Sequence, residues 1–175
     1  MKHKVVKSTS IFKGRVFETK TEEIILPTGE EAYREVVVHR GGASIVAITD
    51  CGKVVLVRQY RHAVGDYALE IPAGIIDNNE DPQVTATREL KEETGYTAAT
   101  VTHLLTVYKS MGYTTEKHHI YLAQGLTAGT QSLDEGEDVE VVEVPLAEVM
   151  EKIWNGGIVD AKTVMGVLAY REKKV

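Results

Sequence analysis

The chain has 175 residues, 43% of them apolar, a single cysteine and a formal net charge of −6 at pH 7. That suffices for one domain with its own core and a small appendage. The acid excess argues against a nucleic-acid partner. No apolar run reaches the length of a membrane span, and the opening MKHKVVKSTS has no signal core. Cys51 alone makes no intrachain disulfide and is compatible with a reducing cytoplasm.

Taken in order, residues 5–6, 15–21, 23–26 and 32–39 read as strands, with Pro27-Thr28-Gly29-Glu30 as a tight turn between two of them. They predict a small antiparallel sheet over 1–40, ahead of a main domain over 41–175. Gly41-Gly42 marks the break. Residues 44–49 and 53–59 form a hairpin around Asp50-Cys51-Gly52. A short strand over 67–71 leads into Pro72-Ala73-Gly74. Strands at 101–108 and 118–123 flank a polar loop over 109–117, and a long loop over 125–138 precedes a strand at 139–144. Helices follow at 145–155 and 160–172, the second with Asp160 as N-cap. The order β-rich, helix, β-rich, two helices predicts an α/β fold, a mixed sheet sandwiched by helices as α/β/α.

The organising stretch is GIIDNNEDPQVTATRELKEETGY, residues 74–96. Asp81 is placed to cap a helix, Pro82 to begin it and Gly95 to end it in the left-handed region. Glu89 and Glu93 are four apart and share a face, with Glu92 flanking it. Three crowded carboxylates repel. They make sense if a hard divalent cation neutralises them, as Mg²⁺ is held by one or two carboxylates plus substrate phosphate oxygens. Arg88 can brace Glu89 by hydrogen bonding. Without the flanking spacing, a solvated acidic helix face would be the simpler reading.

The full spacing is demanding: Gly74, Glu80, Arg88-Glu89-Leu90, Glu92-Glu93 and Gly95. It resembles the signature of the Nudix hydrolases, with Tyr96 where that family usually has an aliphatic residue. The likeness extends to Val57-Arg58-Gln59-Tyr60-Arg61, to Leu69-Glu70-Ile71-Pro72-Ala73-Gly74, to Asp134-Glu135-Gly136-Glu137-Asp138 and to Asp160-Ala161-Lys162-Thr163. These are similar to the ADP-ribose pyrophosphatase branch, which acts on nucleoside diphosphate sugars. One departure is Met111 in Ser110-Met111-Gly112-Tyr113, where the branch usually has Pro before the Gly. It leaves room for other sugar nucleotides, such as those of GDP or UDP.

The resemblance implies a Nudix α/β/α sandwich and a homodimer joined through the N-terminal sheet. It also implies metal-dependent cleavage of a pyrophosphate to nucleoside monophosphate and sugar phosphate. Glu89, Glu93 and Glu92 would hold Mg²⁺ (or Mn²⁺), completed by the Ala73 carbonyl, which Gly74 lets approach closely. Glu137 would be the general base, with Glu135 its neighbouring alternative. Arg61 and Arg34 are candidate phosphate clamps, Glu70 a candidate for the outer site and Gly112 part of the substrate loop. Phe12, Phe17 and Tyr113 are candidates to stack on the base, or are core residues. His118 and His119 point to opposite faces of a strand and do not chelate one ion together. Trp154 reads as a packing residue. Competing readings are a Nudix hydrolase of dinucleoside polyphosphates or nucleoside triphosphates, and a nucleotide-sensing module without turnover.

Overall fold

A computed structural model describes residues 2–77 and 80–173; Asn78 and Asn79, inside the acidic motif, lie outside the described residues. The backbone forms two compact units, residues 1–41 with 107–117, and 42–106 with 118–175.

The first unit is a three-stranded antiparallel sheet, β1 (Lys4–Lys13), β2 (Phe17–Ile25) and β3 (Glu31–His39), in the order β1-β2-β3. The turn at 27–30 closes with Gly29 N–H donating to the Leu26 carbonyl at 2.9 Å, and Gly29 sits at φ 92°. Two sequence expectations change here. β1 is a ten-residue strand rather than a stub at 5–6, and β2 runs unbroken through Glu22. Lys7-Ser8-Thr9-Ser10 has no apolar alternation to announce a strand. Its pairing with Glu23, Glu22, Thr21 and Lys20 supplies what local propensity lacks. Segment 107–117 joins this unit through Val37, whose N–H donates to the Tyr113 carbonyl at 2.7 Å. The Val37 carbonyl in turn accepts from Thr115 N–H at 2.9 Å. Phe12 and Phe17 are exposed, with ring centroids 5.9 Å apart, and Tyr113 is exposed too, so none of the three is a core residue within the chain.

The second unit is built on strands β4 (Gly42–Ile48), β5 (Lys53–Arg61), β6 (Asp66–Glu70), β7 (Ala73–Ile75), β8 (Thr97–Tyr108), β9 (Lys117–Thr127) and β10 (Val139–Pro145). The sheet order is β10-β5-β4-β9-β8, with β6 beside β5 and β7 beside β4. β4 and β9 run parallel, while β5 meets β4, β6 and β10 antiparallel, so the sheet is mixed. β7 was not expected, because Pro72 and Gly74 both break strands; its three residues pair with Gly42, Ala43 and Ser44.

Every residue of β4 is buried, as a strand covered on both faces must be. Period-two alternation divides its side chains between two cores. Ala43, Ile45 and Ala47, with Val55, Tyr121 and Ala123, meet Ala86 and Leu90 of α1 (Pro82–Thr94). Val46 and Ile48, with Leu56, Ile120 and Leu122, meet Val149 and Met150 of α2 (Leu146–Trp154) and Val167 of α3 (Ala161–Lys173). This is the expected α/β/α sandwich. Trp154, expected to pack, is 72% exposed at the last residue of α2. Among the described residues no helix is long and apolar enough to cross a membrane.

Candidate active site

The site grows from the inner face of the C-terminal half of α1. Asp81 caps the helix, its carboxylate accepting from Gln83 N–H at 2.8 Å, and Pro82 stands at the first helical position. Gly95 ends the helix at φ 78° with its N–H on the Lys91 carbonyl. Ala86 and Leu90 are fully buried, which fixes the helix's rotation. Tyr96 packs on the same core and reaches Glu143 with its hydroxyl at 2.5 Å, a place an aliphatic side chain could only half fill.

With that rotation set, Glu93 turns inward and is 3% exposed. Its Oε2 accepts from Ala73 N–H at 3.1 Å. Burial and the Glu89 charge push its carboxyl up to about 8, against the Ala73 hydrogen bond, with Glu137 adding in the same direction. Burial also raises Glu89, opposed by the Arg88 charge and hydrogen bond and assisted by Glu92 and Glu137. Arg88 donates from Nη1 to Glu89 at 2.9 Å and to Glu92 at 2.7 Å, and lies 3.6 Å from Glu80. Gly74 is the floor beneath Glu89: a Cβ there would stand 1.8 Å from Glu89 Oε1. The sequence reading gave glycine at this position the job of admitting close approach, and what approaches is the Glu89 carboxylate.

This arrangement concentrates negative charge that one arginine does not offset. Among the described residues no three His, Cys, Asp or Glu side chains converge tightly enough to hold an ion unaided. The available donors are Glu89 and Glu93 carboxylate oxygens and backbone carbonyls, an all-oxygen set suited to a hard cation that also draws on substrate oxygens. Glu137 ends a turn in which its N–H donates to the Asp134 carbonyl at 3.1 Å, and Gly136 holds φ 87°. Glu137 and Glu135 are both exposed in this loop.

The structure brings Arg61 and Glu70 together in a way spacing did not reveal. Arg61 Nε and Nη2 grip the two Glu70 oxygens at 2.6 and 2.7 Å. A bidentate hold on phosphate by Arg61 would require breaking that pair. Glu70, 3% exposed, also accepts from Lys162 Nζ, which in turn reaches Asp160 at 3.0 Å. The Arg61 hydrogen bonds and the Lys162 charge overcome burial and hold the Glu70 carboxyl near 2. Thr163 Oγ1 donates to Asp160 at 2.6 Å and accepts from Ile71 N–H at 2.8 Å. So α3 pins the chain just before Ala73. The signal was present in Asp160-Ala161-Lys162-Thr163: a cap, then a lysine and a threonine in the first turn of the helix, both of them buried. Arg34 and Gly112 belong to the first unit. Arg34 Nη1 donates to the Tyr33 carbonyl at 2.8 Å, and Gly112 stands in open space.

A family model described as the NUDIX domain matches residues 38–164. The chain is 38% identical over 169 residues to the ADP-ribose pyrophosphatase of Bacillus subtilis (strain 168), a match covering 95% of this chain and 91% of that protein. It is 40% identical over 166 residues to the methanol dehydrogenase activator of Bacillus methanolicus, covering 94% and 90%. Its fold superposes on the crystal structure of an ADP compounds hydrolase with a TM-score of 0.87 at 27% identity, over 98% of this chain and 94% of that one.

Proposed function

The chain belongs to the Nudix hydrolase family, and from that premise we propose that it hydrolyses the pyrophosphate bond of nucleoside diphosphate sugars. ADP-ribose, or a related sugar nucleotide such as GDP-mannose, would yield a nucleoside monophosphate and a sugar phosphate. The observation that carries this reading is the pairing of buried Glu93 with Glu89 seated on Gly74. The environment raises both carboxyls, and so asks for a positive charge among oxygen donors.

Glu89, Glu93 and the Ala73 carbonyl would hold a divalent cation, Mg²⁺ or Mn²⁺, with Glu92 assisting. The cation supplies neutralisation of the pyrophosphate and of the charge that develops as its bond breaks. Arg88 fixes Glu89 and Glu92 in place through its two hydrogen bonds. Glu137 takes the proton of the attacking water as its oxygen bonds to phosphorus and the bridging P–O bond breaks. Arg61 would bind substrate through whatever donor capacity its Glu70 pair leaves, and Glu70, buried, would serve substrate binding by holding Arg61. Arg34 and Gly112 would also bind substrate in this reading.

Residues 1–40 form the dimerisation element in this reading. Val5, Val6, Ile11, Phe12 and Phe17 on that sheet, and Val16 in the turn beside it, are all exposed, more apolar surface than one small unit covers. Light scattering should return twice the chain mass at micromolar concentration; a monomer there refutes this part. A cytoplasmic location goes with the same reading.

The test is product analysis with Mg²⁺ and a panel of ADP-ribose, GDP-mannose, UDP-glucose, diadenosine polyphosphates and nucleoside triphosphates, beside Glu93→Gln. Release of nucleoside monophosphate plus sugar phosphate, lost in the variant, is the expected result. Turnover confined to triphosphates or dinucleotides, or tight binding with no turnover, overturns it. Adding the protein to a methanol dehydrogenase assay asks whether it shares the property for which the Bacillus methanolicus relative is named.

A further inference from the structure

The C-terminal carbonyls of a helix have no partner within it and must find one elsewhere. In α1 the carbonyls of the last turn belong to the acidic motif itself. Gly95 N–H serves the Lys91 carbonyl at 2.8 Å. The next two are served from far along the chain: Ser132 N–H donates to the Glu92 carbonyl at 2.9 Å, and Gln131 Nε2 donates to the Glu93 carbonyl at 2.7 Å. Gly95 and Gly129 lie backbone to backbone, since a Cβ on either would stand 2.7 Å from the other's carbonyl oxygen.

Gln131 does a second thing. Its Nε2 also donates to the Val139 carbonyl at 3.0 Å. Val139 is the first residue of β10 and pairs with Gln59. One carboxamide thus spends both its hydrogens on two carbonyls, one at the end of the motif helix and one where the chain re-enters the sheet. Between those anchors runs only the segment 133–138, which carries Glu137. A primary amide is the side chain that fits: it has two donors, and both partners are pure acceptors. Glutamate would set acceptors against acceptors, and leucine would leave two carbonyls unserved.

We propose that Gln131 is a positioning residue, a clasp that closes the base of the Glu137 loop against α1 and so sets the distance from Glu137 to the water it activates. This inference rests on the reading of Glu137 as general base. The charge of Glu137 is felt at both Glu89 and Glu93, which places the loop within electrostatic reach of the carboxylates. The clasp leaves the turn around Gly136 as the part free to adjust on substrate binding.

The experiment is a double-mutant cycle of Gln131→Leu and Glu137→Gln on the full-length protein with Mg²⁺ and its best substrate. Hydrogen exchange across 133–138 is measured alongside. Misplacing a catalytic group by about an ångström costs up to about a hundredfold. We expect Q131L to lower kcat by roughly ten- to a hundredfold with KM changed less than about threefold. In the E137Q background the same change should cost less than about twofold, because the group it positions is gone. Amides of 133–138 should exchange faster in Q131L. An equal loss in both backgrounds, or no loss in either, overturns the positioning role. The base assignment fails separately if E137Q alone lowers kcat less than about tenfold. Exchange then decides the clasp: unchanged protection at 133–138 in Q131L refutes it, and faster exchange upholds it. Should Q131L fail to fold, Gln131→Asn, which keeps the amide on a shorter arm, enters the same cycle.

Discussion

The buried pair of Glu70 and Lys162 sets a measurable acid limit on stability. Glu70 is 3% exposed, and its carboxyl is held near 2 against an ordinary 4.5. At 1.36 kcal/mol per unit, that difference amounts to about 3 kcal/mol in favour of the folded state with Glu70 ionised. The sign follows from proton counting. Between about 4.5 and 2 the unfolded chain binds the proton and the folded chain does not, so this contribution is whole above 4.5 and lost as pH falls through 2. Lys162→Met removes one partner and leaves the two Arg61 hydrogen bonds. The cost should fall at or below the low end of the roughly 3–5 kcal/mol seen when a buried ion pair is broken, about 2–3 kcal/mol. For a chain of this size that corresponds to a melting temperature lower by about 4–12 °C. The assay is urea unfolding of wild type, K162M and Glu70→Gln at pH 7, 4.5 and 3. The gap between wild type and E70Q should narrow from pH 4.5 downward, by about 2 kcal/mol at pH 3, with the remainder lost only below about pH 2. A gap that stays flat over that range, or a K162M cost under about 1 kcal/mol, would refute the claim that this network stabilises the ionised form.

Other outcomes follow from the same geometry. Gly74→Ala should lower kcat by at least about tenfold, because the new Cβ occupies the place of Glu89 Oε1, while overpacking costs only about 1–3 kcal/mol; melting curves beside turnover separate the two. Thr163→Val should destabilise by about 1–3 kcal/mol in chemical denaturation, since it strands the Ile71 N–H. Chelation should abolish turnover, with Mg²⁺ or Mn²⁺ restoring it. Added metal should raise the melting temperature of wild type more than that of E93Q; equal shifts would place the cation elsewhere.

Much of the frame could be read from residue order because its signals are local. Asp81, Pro82 and Gly95 mark α1 at both ends, and the apolar runs of β4, β5 and β9 declare themselves without tertiary help. What escaped depends on partners distant in sequence. Lys7-Ser8-Thr9-Ser10 becomes a strand only because β2 supplies its ladder. Ala73-Gly74-Ile75 pairs despite two strand breakers because β4 lies alongside. The face shared by Glu89 and Glu93 was legible from four-residue spacing, and so was the need for a small residue at Gly74. The capture of Arg61 by Glu70 was not: it arises from the turn between β5 and β6 and from a lysine on the last helix. Trp154 was misplaced because an aromatic in an amphipathic helix usually packs, and here it falls at the helix's final residue.

The parallel pairing of β4 with β9 has a consequence for how the chain assembles. Gly42 to Ala47 meet His118 to Ala123, and everything from β5 to β8 is made between them. Both cores draw on these two strands, so neither can close while β9 is missing. A chain emerging from the ribosome therefore carries an uncovered, largely apolar β4 until its last third is made. Non-local parallel pairing of this kind folds slowly and leaves sticky edges exposed meanwhile. Truncations that end before residue 117 should accumulate as aggregates rather than as a smaller folded domain.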